Sequence, residues 1–202
     1  EGDAQALTCL GTDPGSDPVI ITWTYSDTGA TTTGDNFPSN TTYTWADEGA
    51  FTATCLGDDL DGDTDTDVLN ITVNNVAPTL GSVTSTPTAN EGDSLPFTAT
   101  ATDPGVNDVL TYTWDWGDGT NSSGPTANKQ YLDEGSFTTS VTVADGDGGT
   151  DTSAPVVVAV SNVAPVVSLS CPATLEEGEA LNLQVTMVDP GADAWLWTAT
   201  GA

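Results

Sequence analysis

Short landmarks return along this chain at a nearly fixed interval, and that interval limits the fold more than any other feature. Asn75-Val76-Ala77-Pro78 reappears as Asn162-Val163-Ala164-Pro165, a shift from 75 to 162 of 87 residues. Asp47-Glu48-Gly49-Ala50-Phe51-Thr52 reappears as Asp133-Glu134-Gly135-Ser136-Phe137-Thr138, a shift from 47 to 133 of 86 residues. Asp13-Pro14-Gly15, Asp103-Pro104-Gly105 and Asp189-Pro190-Gly191 each lead into a tryptophan segment: Trp23-Thr24-Tyr25, Trp114-Asp115-Trp116 and Trp195-Leu196-Trp197. A period this long exceeds that of a solenoid unit and fits whole domains in a string. On this reading residues 1–74 are one domain lacking the first strand of the pattern. Residues 75–161 are a complete domain, and 162–202 are the N-terminal part of a third.

Each repeat carries the period-two alternation of half-buried strands. Leu95, Phe97, Ala99 and Ala101 point one way while Thr98, Thr100 and Thr102 point the other; Leu7, Cys9 and Gly11, and Leu181, Leu183, Val185 and Met187, hold the matching positions. The next strand aligns Leu110, Tyr112, Trp114 and Trp116 with Val19, Ile21, Trp23 and Tyr25. Later strands align Phe51, Ala53 and Cys55 with Phe137, Thr139, Val141 and Val143, and Leu69, Ile71 and Val73 with Val156, Val158 and Val160. Thr28 to Thr42 and Gly119 to Lys129 leave room for short strands without fixing their limits. Short strands, Gly and Asp turns and no helical period predict an all-β chain of antiparallel β-sandwiches.

The cysteines bear on the kind of sandwich. Cys9 lies on the inward face of the first alternating strand, Cys55 on the inward face of a later one, and Trp23 lies between them. That order of Cys, Trp and Cys belongs to an immunoglobulin-like bridge between sheets packed on a buried tryptophan. A Cys9–Cys55 disulfide is therefore expected, and with it an oxidising compartment. The equivalent positions in the second repeat are Ala99 and Val141, which fill the same core by apolar packing. Cys171 has no visible partner.

Charge narrows the function. Asp and Glu number 30 against a single basic residue, for a formal net charge of -29. A nucleic-acid backbone would be repelled, and cations collected. No apolar run approaches the ~20 residues of a membrane helix, so membrane insertion is not expected within this segment. The absence of histidine removes imidazole bases, Ser-His-Asp and Cys-His constellations and ordinary zinc sites. Lys129 is the only basic side chain, so nothing clamps a phosphate. No enzyme activity is expected.

Trp114-Asp115-Trp116-Gly117-Asp118-Gly119 resembles the WDFGDG strand end of the polycystic kidney disease (PKD) domain family, with Trp in place of Phe. The likeness extends over the second repeat, through Thr102-Asp103-Pro104-Gly105, Tyr131 to Phe137 and the Val-rich last strand. The first repeat departs from it, since Trp23-Thr24-Tyr25-Ser26-Asp27-Thr28 keeps only the aromatic pair and one aspartate. The resemblance implies tandem immunoglobulin-like sandwiches arranged end to end. It also implies a secreted or cell-surface protein that spaces, adheres or is stabilised by calcium.

Immunoglobulin-like topology would gather acids at the ends of the sandwiches. Asp103, Asn107 and Asp108 would face Asp145 and Asp147 at the end where the chain enters the second repeat. Glu1, Asp3, Asp47 and Glu48 would lie where it leaves the first, with Asn75 in the linker. Carboxylates and amide carbonyls are the ligands that hard Ca²⁺ requires, so calcium is the expected cofactor. The ordinary reading of the same residues is solvated turn chemistry. Asp58, Asp61 and Asp63 sit in a denser acidic loop that lacks the closing Glu of an EF-hand; it is either a calcium loop or a mobile hairpin tip. Asn40, Asn70 and Asn121 begin N-glycosylation sequons. Trp45, aligned with Tyr131, is the candidate for stacking on a ligand, against a role in the core. The expected function is a rigid stalk, surface coat or filament whose partners are copies of itself or neighbouring surface proteins. The alternative is an accessory module binding carbohydrate or protein.

Overall fold

In the computed structural model of the chain, the described residues are 1–193 apart from 16, 172, 173, 175 and 182. The expected strand at Trp195-Leu196-Trp197 lies outside them. All regular structure among the described residues is β, with no helix long and apolar enough to cross a membrane. They fall into two compact units. The first is Glu1–Thr79 together with the loops Ala101–Thr111 and Val143–Asp151. The second is Leu80–Thr100, Tyr112–Thr142 and the described part of Thr152–Ala202.

The first unit is built on β1 (Ala4–Cys9), β2 (Ile20–Tyr25), β3 (Thr31–Asp35), β4 (Ser39–Thr44), β5 (Gly49–Asp58) and β6 (Thr64–Val73). β1 pairs with β4, and the other sheet runs β3-β2-β5-β6. The side chains expected to point inward do so: Leu7, Cys9, Val19, Ile21, Trp23, Tyr25, Ala53 and Cys55 form one buried cluster with Trp45. Cys9 and Cys55 are bonded. Trp23 lies opposite Cys55 in the register of β2 and β5, and its Nε1 donates to Ser39 Oγ at 3.3 Å. Leu69 departs from expectation, being 51 % exposed. β6 is an edge strand of a four-stranded sheet, while the pair β1–β4 has only two strands. The outer part of β6 therefore has no facing strand among the described residues of this unit.

The second unit contains most of β7 (Thr79–Thr84), β8 (Thr88–Asn90), β9 (Ser94–Thr102), β10 (Thr111–Asp115), β11 (Asn121–Ser123), β12 (Thr126–Gln130), β13 (Gly135–Ala144), β14 (Thr150–Thr152) and β15 (Val156–Ser161). One sheet is ordered β11-β10-β13-β15-β8 with β14 on β13; the other is β12-β9-β7. The strands β7 and β8 thus belong to different sheets, and Pro87 stands at the crossing, where it costs no ladder hydrogen bond from its own nitrogen. Its carbonyl accepts from Ala159 N at 2.9 Å. Trp114 and Trp116 stack with ring centroids 5.3 Å apart, and Phe97 meets both edge-on. Beyond this sandwich β16 (Val166–Ser170) pairs antiparallel with β17 (Gln184–Val188). Leu181, Leu183 and Val185, expected on an inward face, are more than half exposed, since no sheet covers this ladder among the described residues.

Candidate cation-binding site

Two turns whose shapes the sequence dictates bring the acids of the first unit together. In Asp103-Pro104-Gly105 the Asp103 Oδ1 accepts from Gly105 N at 2.8 Å, an Asx turn that leaves Oδ2 unused. In the hairpin after β13, Asp145 Oδ1 accepts from the N–H groups of Asp147, Gly148 and Gly149 at 2.8 to 3.0 Å. Val106 N donates to Ala46 O at 3.0 Å, setting the first turn beside Asp47 and Glu48. A Cβ on Gly105 would stand 2.5 Å from Asp108 Oδ2 and 3.1 Å from Glu1 Cδ, so only glycine leaves space for those carboxyls.

Two sets of carboxylate oxygens result, each lying within 4.8 Å of one another: Glu1, Asp47, Glu48 and Asp108, and Asp103, Asp108 and Asp145. Asp108 belongs to both. Some of their lone pairs are engaged. Glu1 Oε1 accepts from Val76 N at 2.8 Å, Asp47 Oδ2 from Asn107 Nδ2 at 2.9 Å, and Asp145 Oδ2 from Asn75 Nδ2 at 2.9 Å. The others are not. Glu1 Oε2, Glu48 Oε2, Asn75 Oδ1, Asp103 Oδ2 and Asp108 Oδ2 are buried without a hydrogen-bond donor. An acceptor taken from water and left unpaired is costly, and a charged one more so. Acceptors facing acceptors are reconciled by a shared proton or a cation.

The electrostatics show the same frustration. Burial, followed by the charges of Glu1, Asp103 and Asp47, pushes the Asp108 carboxyl up to about 6. Glu48 is pulled down by its own backbone N–H. Its hydrogen bond with Asp47, its burial and the charges of Asp147 and Asp47 outweigh that and raise it to about 7. Hydrogen bonds from Asn107 first, and then from Glu48, hold Asp47 below its ordinary value, and that from Asn75 does the same for Asp145. Asp47 and Asp145 thus hold charge while Glu48 and Asp108 resist it. All six carboxylates are oxygen donors of the kind that Ca²⁺ prefers, and the Asn75 amide that holds Asp145 carries a further buried oxygen without a donor. The residues present fit that ion.

Other expected site residues lie apart. Asp3 is exposed and joins neither set, and Asp147 contributes only its backbone turn and its charge. Asn107 acts as a donor to Asp47. Asp58, Asp61 and Asp63 are not gathered among the described residues: Asp59 ties their hairpin tip by accepting from Asp61, Gly62 and Asp63. Trp45 and Tyr131, considered as ligand-stacking rings, are core residues at 3 % and 2 % exposure. Each follows the strand that precedes the Asp-Glu-Gly turn and folds inward, Trp45 against Phe51 and Tyr131 against Phe137. Tyr131 Oη also donates to Trp116 O at 2.9 Å. Asn40, Asn70 and Asn121 are exposed.

The WDWGDG turn, for its part, spends its acids internally. Asp115 Oδ1 accepts from Gly117 N, and Asp118 accepts from Thr120 and Lys129. In the first repeat Asp27 instead accepts from Tyr43 Oη at 2.9 Å. A third acidic group, Glu91, Asp133, Glu134 and Asp193, lies in the second unit. The repeat period was the signal that marks it, since Glu1, Asp47 and Glu48 recur as Glu91, Asp133 and Glu134.

The PKD domain family profile matches residues 75–160. No curated protein matches the chain. Among solved structures, the PKD1 domain of Vibrio anguillarum Epp is 29 % identical over 44 % of this chain and 100 % of its own, with a TM-score of 0.34. The amphioxus IgVJ-C2 molecule is 17 % identical over 78 % of this chain and 97 % of its own, with a TM-score of 0.49. The fibronectin(III)-like modules of Clostridium thermocellum CbhA are 22 % identical over 79 % and 85 %, with a TM-score of 0.35.

Proposed function

Because residues 75–160 match the PKD domain family, we propose that the chain is an extracellular structural or adhesive repeat, stiffened by Ca²⁺. It serves as part of a stalk, surface coat or filament. The observation that carries this reading is that the two converging carboxylate sets contain buried oxygens without donors, on Glu1, Glu48, Asp103 and Asp108. Such a set is an expensive way to make a turn and a suitable way to hold a hard divalent cation. Asp108 is common to both sets and would serve whatever ion either set holds.

The ions would fasten the loops 101–111 and 143–151 to Glu1–Thr79, where the carboxylates otherwise repel. The repeats are joined by a short Val-Ala-Pro connector rather than a long flexible tether. The Cys9–Cys55 bond supports an oxidising location outside the cytoplasm. Partners in this reading are further copies of the chain or neighbouring surface proteins. The carbohydrate-binding alternative loses its candidate rings to the core.

The test is thermal unfolding with calcium and with chelator, alongside elemental analysis of the dialysed protein. At calcium well above Kd the melting temperature should rise by on the order of 10 °C, and bound calcium should be found. Identical melting curves with no bound metal would refute the proposal.

A further inference from the structure

The geometry points to a second, separate Ca²⁺ site in the second unit, formed by Glu91, Asp133, Glu134 and Asp193, and taking one ion. This inference rests on the calcium reading of the first unit for the identity of the ion and stands on its own residues for the site.

The four carboxylates each offer an oxygen within 4.8 Å of the others. An acidic cluster is often only a solvated turn, and the observation that separates this one is Glu91. Its side chain is 1 % exposed, Oε1 accepts from Val163 N at 2.6 Å, and Oε2 is buried with no donor. A carboxylate withdrawn from water, with one oxygen held by a backbone N–H, the other without a donor, and three further carboxylates close by, lacks a positive partner. No basic side chain is at hand, since the chain's single one, Lys129, is engaged with Asp118.

The surroundings are shaped for the same purpose. Asp189 Oδ1 accepts from Gly191 N at 3.1 Å, and a Cβ at Gly191 would stand 2.5 Å from Glu91 Oε2. The turn therefore admits the Glu91 carboxylate only because residue 191 has no side chain. Ala192 N donates to Leu132 O and brings this turn beside Asp133 and Glu134. The arrangement repeats that of the first unit residue by residue: Val76 N on Glu1 Oε1, Asp103 on Gly105, Val106 N on Ala46 O.

The differences set the ion count. The residue corresponding to Asp108, which joins both carboxylate sets in the first unit, is Ala194 in the sequence, and Asn107 is replaced by the acid Asp193. Four carboxylates in one set, with no bridging acid among the described residues, suit one divalent ion. Asp193 supplies the charge where Asn107 supplies only an amide donor to Asp47.

The experiment is equilibrium dialysis of the whole chain against radioactive calcium, with metal removed beforehand, for the native protein, Asp133→Asn and Asp108→Asn. Both substituted residues are at least partly exposed, and circular dichroism checks that each variant retains its β-structure; Glu134→Gln replaces any variant that does not. Asp133→Asn should lose one equivalent of bound calcium and keep the remainder at native affinity. Asp108→Asn should lose binding elsewhere and retain that equivalent. Native binding unchanged in Asp133→Asn and Glu134→Gln, but reduced in Asp108→Asn, would overturn the second site and leave the first reading intact. Loss only in Asp133→Asn would leave the second site and remove the first. No calcium bound by the native chain would overturn both.

Discussion

Single residues separate the turns that are built from those that are merely tolerated. Gly117 has φ of +73°, and a Cβ there would stand 2.4 Å from Thr138 O. Gly119 shares the positive φ, at +83°, but nothing lies within 4 Å of its Cβ position. Gly117→Ala should therefore cost ~3 kcal/mol or more by adding a backbone clash to the strain, and Gly119→Ala only ~1 kcal/mol. Urea denaturation of the two variants checks the difference. In the first repeat Ser26 takes the place of Gly117, and its Oγ accepts from Thr52 N at 2.8 Å. Trp45→Ala removes a buried ring and should destabilise the first sandwich by roughly 3–5 kcal/mol; a surface ligand-binding tryptophan would cost far less.

The carboxyls also predict a pH dependence for the chelated protein. Asp108 and Glu48 titrate at about 6 and about 7, against ordinary values of 3.8 and 4.5. Raised carboxyls mean that the native state binds more protons than the unfolded state in between. Their contribution is fully present below about pH 4 and is lost as pH rises through 6 to 7. Asp47, Asp145, Asp59 and Asp118, all lowered, act in the opposite sense, and their contribution is lost as pH falls below the ordinary carboxylate value. Without calcium the melting temperature should be highest in the mildly acid range and fall towards pH 7.5. On the proposed reading calcium takes the place of those protons, and its addition should remove that decline.

At the level of strands, legibility in the sequence followed burial. Leu7, Cys9, Ile21, Trp23, Phe97, Val141 and Val158 are deeply buried, and the alternation that identifies them follows from one face meeting the core. β3 and β12 left no such signal because neither contains a buried residue, and their Thr, Asn and Gly content reads equally well as loop. β8 is three residues long and pairs in parallel with β15, a contact no local pattern announces. Leu69 misled because alternation marks a face without saying whether anything covers it. The disulfide was legible since spacing, facing and the intervening Trp23 agreed. Cys9 and Cys55 close a separation of 46 residues, so reduction should cost roughly 2–5 kcal/mol. Calorimetry should show a low-temperature shift in one transition, with the cysteine-free sandwich of residues 75–161 unmoved.

Over the whole chain, the period and the acid excess told most of what could be read about purpose. Position in an immunoglobulin-like topology was enough to place Glu1, Asp47, Glu48, Asp103, Asp108 and Asp145 near one another. It was not enough to show which oxygens would already be engaged, as with Asp59, whose hydrogen bonds tie up its own hairpin. Net charge alone favours the gathering of cations; the donorless oxygens mark where the proposed ion would sit. The most direct measurement is anomalous scattering from crystals of the chain grown in calcium. The account predicts a strong peak within bonding distance of Glu1 Oε2, Glu48 Oε2 and Asp108 Oδ2. Density showing those carboxyls paired with each other through protons, and no anomalous peak beside them, would contradict it.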